Sequence, residues 1–329
     1  MRQLIRTFLP IKPAPLRFTR CLFVIAAMVP LVSACFPKSQ DTIKIAVVAP
    51  FSGRHREIGY QALHGARIAV SDFRASGGPH AQSVELLALD DAGDATTAME
   101  QANKLITDPN VLAVIGHWLD ATTTAAAPIY SRAGLPILAT SAEPSNPSHG
   151  GSMFFRFYPT KSALREATTK TARLYNSAST CLCDVISGSV AIASSLVENP
   201  GVSVVGGPLW SLQEFVRIAG PNANASYFIT PVPHPLVAPE ASNFRDRYRS
   251  TFPDQPIGWV SVHAFEAATV LLTALSDSPV LTPTHLAEAL AQTNYSSKML
   301  REVSFTDRGE WRRPQYHVYR WKDSRRIHP

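Results

Sequence analysis

The stretch Ile43-Lys44-Ile45-Ala46-Val47-Val48-Ala49-Pro50-Phe51-Ser52-Gly53 decides how this chain folds. All but Lys44 of its first seven residues are apolar, without the alternation of a half-exposed strand, and Pro50 and Gly53 punctuate its end. Such a run predicts a strand buried on both faces, as in a parallel sheet. Downstream the hydrophobic period switches repeatedly. Residues 59–76 put Ala62, Ala66, Ala69 and Phe73 on one helical stripe, which Gly77-Gly78 ends. Strands are predicted at 84–89, 111–115, 137–139 and 153–157, and helices at 94–108, 122–133 and 161–175. This alternation predicts an α/β domain with a parallel sheet. Its ligand site belongs at the carboxyl ends of the strands, in loops 50–59, 116–120 and 140–150.

The second half is thinner. It predicts strands at 183–186, 202–205 and 227–229, and helices at 190–198, 212–219, 240–252, 260–275 and 284–291. Residues 303–305 and 316–321 read as a closing pair of strands. Pro231-Val232-Pro233-His234-Pro235 reads as an exposed, extended connection between lobes.

Ahead of the first strand stand Arg2, Arg6, Lys12, Arg17 and Arg20, then an apolar run from Cys21 to Val32, the order of a secretory signal. The run is shorter than the roughly 20 apolar residues of a membrane-spanning helix. Ser33-Ala34-Cys35 resembles the lipobox of bacterial lipoproteins, which implies cleavage after Ala34 and acylation of Cys35. The expected organisation is a signal peptide at 1–34, a lipidated tether at 35–41, lobe I at 42–160 and a reduced lobe II with hinge crossovers at 161–329.

The formal net charge of +6 is mostly the leader's, which holds five of the 31 Lys and Arg and no acid. The remainder, 26 against 25, implies no nucleic-acid partner. Cys181 and Cys183 stand two apart, and no histidine near them in sequence completes a metal site. The expectation is two small core residues, with a disulfide in so short a loop permitted by an oxidising compartment but strained.

The opening strand, Gly65-Ala66, Gly77-Gly78, Val114-Ile115-Gly116-His117, Ala133-Gly134-Leu135-Pro136-Ile137 and Phe154-Phe155-Arg156 together resemble the type I periplasmic binding proteins. The leucine/isoleucine/valine-binding branch is the nearest, with a weaker likeness continuing through Ile218-Ala219-Gly220. The resemblance implies a two-lobed α/β fold, parallel sheets flanked by helices, closing over a small polar molecule as the solute-binding component of an ABC importer. It also implies ligand-facing positions at Phe51 and Ile58, at Trp118, Leu119 and Asp120, and at Ser141, Ala142 and Glu143.

Two departures stand out. In the amino-acid binders the position of Asp120 is commonly serine and that of Glu143 threonine, groups that with backbone N–H donors grip the ligand's carboxylate and ammonium. The start of a helix offers unpaired N–H groups, so an aspartate there either caps the helix or takes the place of a ligand's anion. Glu143 is either a solvated loop residue or a second acidic wall. Trp118 is either wall packing or a ring that covers a ligand. The second departure is in lobe II, where one strand-helix unit lies between Tyr175 and Val202 and no acidic residue matches the family's ammonium partner; Pro208 falls near that place. Trp210 and Trp259 are the candidates to close the cleft.

No P-loop, dinucleotide fingerprint, zincin helix or nucleophile elbow is present, and Asp90-Asp91-Ala92-Gly93-Asp94 lacks the spacing of a calcium loop. Neither an enzyme nor a cofactor nor a bound metal is expected; His117 is read as structural. The reading is an extracytoplasmic, lipid-anchored amino-acid-transport type binding protein with a small polar or cationic ligand and an ABC permease as partner. The alternative is a receptor or interaction lipoprotein that kept the scaffold without a transport role.

Overall fold

The computed structural model describes residues 42–142, 153–199 and 201–329. The leader, Cys35, the tether and Glu143 lie outside the described residues. The first lobe has strands β1 (Ile43–Ala49), β2 (Val84–Asp90), β3 (Val111–Gly116), β4 (Ile137–Ala139) and β5 (Phe154–Arg156) in the order β2-β1-β3-β4-β5, all parallel. The unbroken apolar run of β1 lies between β2 and β3, and every residue of it except Lys44 is buried. Helix α1 (Arg56–Ser76) ends as the glycines predict, with Gly77 left-handed at φ 65° and its N–H on the Arg74 carbonyl. Helices α2 (Ala95–Leu105) and α3 (Asp120–Ala133) complete this part. The acidic turn after β2 is a strand-end turn and helix cap: Asp90 accepts from the N–H groups of Phe51 and Ala92, and Asp94 caps α2 through the Thr97 N–H.

The second sheet runs β10-β9-β8-β7-β6: β6 (Ser179–Cys181), β7 (Val204–Gly206) and β8 (Ser226–Thr230) are parallel, and β9 (His317–Lys322) and β10 (Arg325–Ile327) are added antiparallel. Helix α4 (Lys161–Leu174) packs on β6 and β7, followed by α5 (Val185–Glu198) and α6 (Gln213–Ala219). The single unit between Tyr175 and Val202 is present as β6 and α5, yet this lobe's sheet still reaches five strands.

Several expectations change. The strand placed at 183–186 is instead β6 at 179–181, because Asp184 caps α5 by accepting from the N–H groups of Ile186 and Ser187. The closing pair is β9 and β10; residues 303–305 make only isolated bridges, Val303 to Tyr295 and Phe305 to Trp311. Residues 231–235 are buried rather than exposed, because the His234 N–H donates to the Tyr319 hydroxyl and the Thr230 hydroxyl to the Val232 carbonyl. Cys181 and Cys183 form a disulfide, with Cα atoms 5.3 Å apart, within the ordinary range.

A boundary at residue 160 does not divide the lobes, because the chain returns after β8. Helices α7 (Ser242–Thr251), α8 (Trp259–Asp277) and α9 (Pro283–Ala291) pack on α1 and β3 of the first lobe before the chain crosses again to β9. The contact of α1 with α8 is close enough that a Cβ on Gly65 would strike the Ser261 carbonyl. That requirement gives Gly65 its reason, since only glycine lets two helix backbones approach so nearly. Helix α8 has the length and apolarity of a membrane span, but most of it is buried in this packing.

Candidate functional site

A cavity of about 220 Å³ lies between the carboxyl ends of the two sheets. Its first-lobe wall is organised by His117, whose ring and whose partner Asp91 are wholly buried. Nδ1 donates to the Asp91 carboxylate at 2.7 Å, and Nε2 lies 3.2 Å from the Tyr130 hydroxyl. The His117 carbonyl accepts from the hydroxyls of Thr123 and Thr140 at 3.0 and 2.9 Å. One residue thus ties the ends of β2, β3 and β4 to α3, which makes its structural reading correct. Gly116, at φ 137°, turns the chain where a Cβ would strike the Val48 carbonyl.

The next three residues, Trp118, Leu119 and Asp120, all line the cavity, as do Ser141 and Ala142 of the facing loop and Ile58 of α1. Asp120 does not cap α3. Leu119 is the N-cap, without a side-chain bond, and Asp120 is the first helical residue. Its Oδ1 reaches across to the third loop and accepts from the Ala142 N–H at 3.0 Å, while the Ser141 hydroxyl donates to Thr123 Oγ1 at 2.7 Å. The two loops run side by side, so the carboxylate takes a backbone donor on its neighbour instead of one on its own helix. Burial, with Asp120 as a nearby negative charge, pushes the Tyr158 phenol well up.

Phe51 does not line the cavity. Its N–H is held by Asp90 at 2.8 Å and its ring packs edge-on against Tyr60, 6.0 Å between centroids. Trp210 is also absent from the wall. It is wholly buried in the second lobe, stacked on Phe215 at 4.9 Å in a space left by Gly188 and Gly206, where any Cβ would overlap its indole. Trp259 does line the cavity, and its Nε1 donates to the Pro208 carbonyl of the opposite lobe at 3.2 Å. A second bond between the lobes joins Glu57 of α1 to the Gln213 N–H at 3.0 Å. Burial pushes the Glu57 carboxyl up, against the pull of Arg326 and of the N–H groups of Gln213 and Glu214.

Sequence reasoning missed Tyr158, Lys161 and Leu164, where the chain crosses into α4, and Leu182, Cys183 and Asp184 after β6. The last three follow from the strand-end rule once β6 ends at Cys181. Burial raises the Asp184 carboxyl, but the N–H groups of Ser187 and Ile186 and the Ser187 hydroxyl outweigh it, so its pKa lies below the ordinary value. Among the described residues no cluster of three or more His, Cys, Asp or Glu could hold a metal.

Two sheet-based lobes, with a cavity formed by their strand-end loops, define a two-lobed α/β fold with a cleft between the lobes. The periplasmic binding protein family matches residues 42–180. The chain is 33% identical over 132 residues to the leucine-, isoleucine-, valine-, threonine- and alanine-binding protein of Pseudomonas aeruginosa, covering 40% of this chain and 35% of that one. It is 35% identical over 102 residues to the Leu/Ile/Val-binding protein of Escherichia coli, covering 31% and 28%. These matches span about a third of the length of the curated relatives. The isoleucine-bound LivJ binding protein of Streptococcus pneumoniae superposes with a TM-score of 0.75 at 18% identity, covering 87% of this chain and 97% of that one. A benzoate-bound solute-binding protein of R. palustris superposes with a TM-score of 0.70 at 15% identity, covering 87% and 95%. The fold is that of the type I periplasmic binding proteins, and the sequence match to the periplasmic binding protein family runs over residues 42–180.

Proposed function

We propose that this chain is the extracytoplasmic solute-binding component of an ABC importer, and that its cleft takes a compact neutral or cationic solute in preference to a zwitterionic amino acid. The bond from the Ala142 N–H to Asp120 Oδ1 carries this reading. A backbone donor that could hold a ligand's carboxylate is occupied by a carboxylate of the protein, and like charges juxtaposed at a binding site cost several kcal/mol. The remaining wall is mainly apolar, with Ile58, Leu119, Leu164, Leu182 and Leu209 beside the rings of Trp118, Tyr158 and Trp259. Since a cavity of about 150 Å³ accepts benzene, 220 Å³ suits a solute of leucine's size. The bonds from Trp259 to Pro208 and from Gln213 to Glu57 support closure of one lobe on the other.

Calorimetry with leucine, 3-methylbutylamine and 3-methylbutan-1-ol tests the reading, because the three share a side chain and differ in the carboxylate and the ammonium. The amine or the alcohol is expected to bind at least tenfold more tightly than leucine. Leucine binding at micromolar Kd or below, tighter than both, overturns the reading.

Ser33-Ala34-Cys35 supports anchoring at the extracytoplasmic face of a membrane through acylation of Cys35. A single acyl chain anchors only marginally, so stable attachment needs more than one. Cells expressing Cys35→Ser are expected to incorporate no labelled palmitate into the protein. Incorporation at the wild-type level would refute lipidation at this residue.

A further inference from the structure

Four aromatic side chains converge on His263, a wholly buried residue of the first turns of α8. Phe157 stacks on its imidazole at 4.9 Å with the planes 6° apart. Trp118 and Tyr158 meet it edge-on at 5.5 and 5.7 Å, and Trp259 lies tilted at 5.7 Å. Trp118, Tyr158 and Trp259 are the three aromatic residues of the cavity wall, and they come from three separate segments of chain. Trp118 follows β3, Tyr158 follows β5, and Trp259 begins α8. The imidazole touches all three.

The imidazole is itself held in place. Its Nε2 lies 2.5 Å from the Phe157 carbonyl, which can only accept, so Nε2 carries the proton and donates. Nδ1 is then an acceptor, and it has no partner among the described residues. The indole N–H of Trp118 also has none among them, and the ring is packed edge-on against the imidazole. Burial draws the His263 pKa down to about 3, against the pull of the Phe157 carbonyl, so the ring is neutral at ordinary pH.

We propose that His263 is the positioning residue of the binding cavity, a flat neutral ring anchored to the Phe157 carbonyl against which Trp118, Tyr158 and Trp259 are set at their working angles. The proposal rests on the reading of this cavity as the solute site. Through Trp259, which donates to the Pro208 carbonyl, the same ring also supports the contact between lobes. A neutral ring suits the role because it fills the space between four aromatics without placing a charge behind the wall.

His263→Ala and His263→Phe test it. Near-ultraviolet circular dichroism of the solute-free protein reads the setting of the aromatic rings whether or not any solute binds. Far-ultraviolet spectra establish that each variant is folded. His263→Ala is expected to change the part of the near-ultraviolet signal that Trp118, Tyr158 and Trp259 contribute and to bind 3-methylbutylamine at least tenfold more weakly. His263→Phe keeps a flat ring but loses the bond to the Phe157 carbonyl, and is expected to restore part of the signal and part of the affinity. The proposal is overturned if folded His263→Ala keeps the wild-type near-ultraviolet spectrum, or if folded His263→Phe is as impaired as His263→Ala. Should the wild type bind no 3-methylbutylamine while its spectra follow the expected order, the solute class is wrong and the positioning role stands.

Discussion

Asp120→Ser is expected to raise leucine affinity by about a hundredfold. Relief of roughly 3 kcal/mol of like-charge opposition corresponds to that factor, at 1.4 kcal/mol per tenfold. The substitution removes the negative charge and frees the Ala142 N–H, which at present donates to Asp120 Oδ1 at 3.0 Å. Its cost to the fold has two parts, about 0.3–1 kcal/mol of helix-dipole stabilisation and the hydrogen bond from the Ala142 N–H, about 1.5–3 kcal/mol for a charged acceptor. Asp120→Asn separates charge from geometry, because its amide oxygen can still accept from Ala142. If charge is what excludes leucine, both variants gain; if occupancy of the N–H is what matters, only the serine variant does. Adding Glu143→Thr to Asp120→Ser is expected to extend the gain. Calorimetric titration decides between these outcomes, and no improvement in either single variant would show that Asp120 has no part in excluding zwitterions.

The second large effect concerns stability and pH. Glu266 lies wholly buried on α8, accepting from the Tyr295 hydroxyl at 2.9 Å and the Ser297 hydroxyl at 2.6 Å. Burial raises its pKa to about 7, with the two hydrogen bonds pulling the other way. A carboxyl with a folded pKa above its unfolded value binds more protons in the native state, so its contribution falls as pH rises from about 4.5 to about 7. The full difference is on the order of 3 kcal/mol. His64, His234 and His263 carry the opposite sign: burial lowers each pKa, so their contribution to the native state grows as pH rises to about 6.5 and is level above it. The total slope therefore mixes both, and the difference between wild type and Glu266→Gln isolates the carboxyl. Calorimetric unfolding is expected to show the glutamine variant gaining stability relative to wild type as pH increases from 5 to 8. A difference that stays flat over that range would mean that Glu266 keeps an ordinary pKa in the folded protein.

Much of the first lobe was legible in the sequence. The apolar run at Ile43–Ala49, the glycines that end α1, and the strand-helix period through β5 and α4 are local signals, each set by which residues must leave water within one element. The strand-end rule pointed to loops 116–120 and 140–150, and the family resemblance singled out Trp118, Leu119, Asp120, Ser141 and Ala142 within them, all of which line the cavity. Its position at a helix start left Asp120 either a cap or a stand-in for a ligand's anion; that its carboxylate would accept from Ala142, 22 residues on, was not readable.

The tertiary structure alone decided the remainder, because periodicity says that a face is buried without naming what covers it. Helix α8 carries apolar residues nearly all round, and only the packing of Gly65 on Ser261 assigns it to the first lobe. Trp210 reads as a candidate cleft residue until the missing Cβ atoms of Gly188 and Gly206 are seen to open a core space for it. The prolines at 231–235 signal an exposed connection, yet Tyr319, contributed by a strand more than eighty residues later, accepts the His234 N–H and lets that segment be buried. His263 gives no signal in the sequence at all. Its place follows from the ends of β3 and β5 meeting the start of α8, so it is a property of the packed first lobe and of no single element.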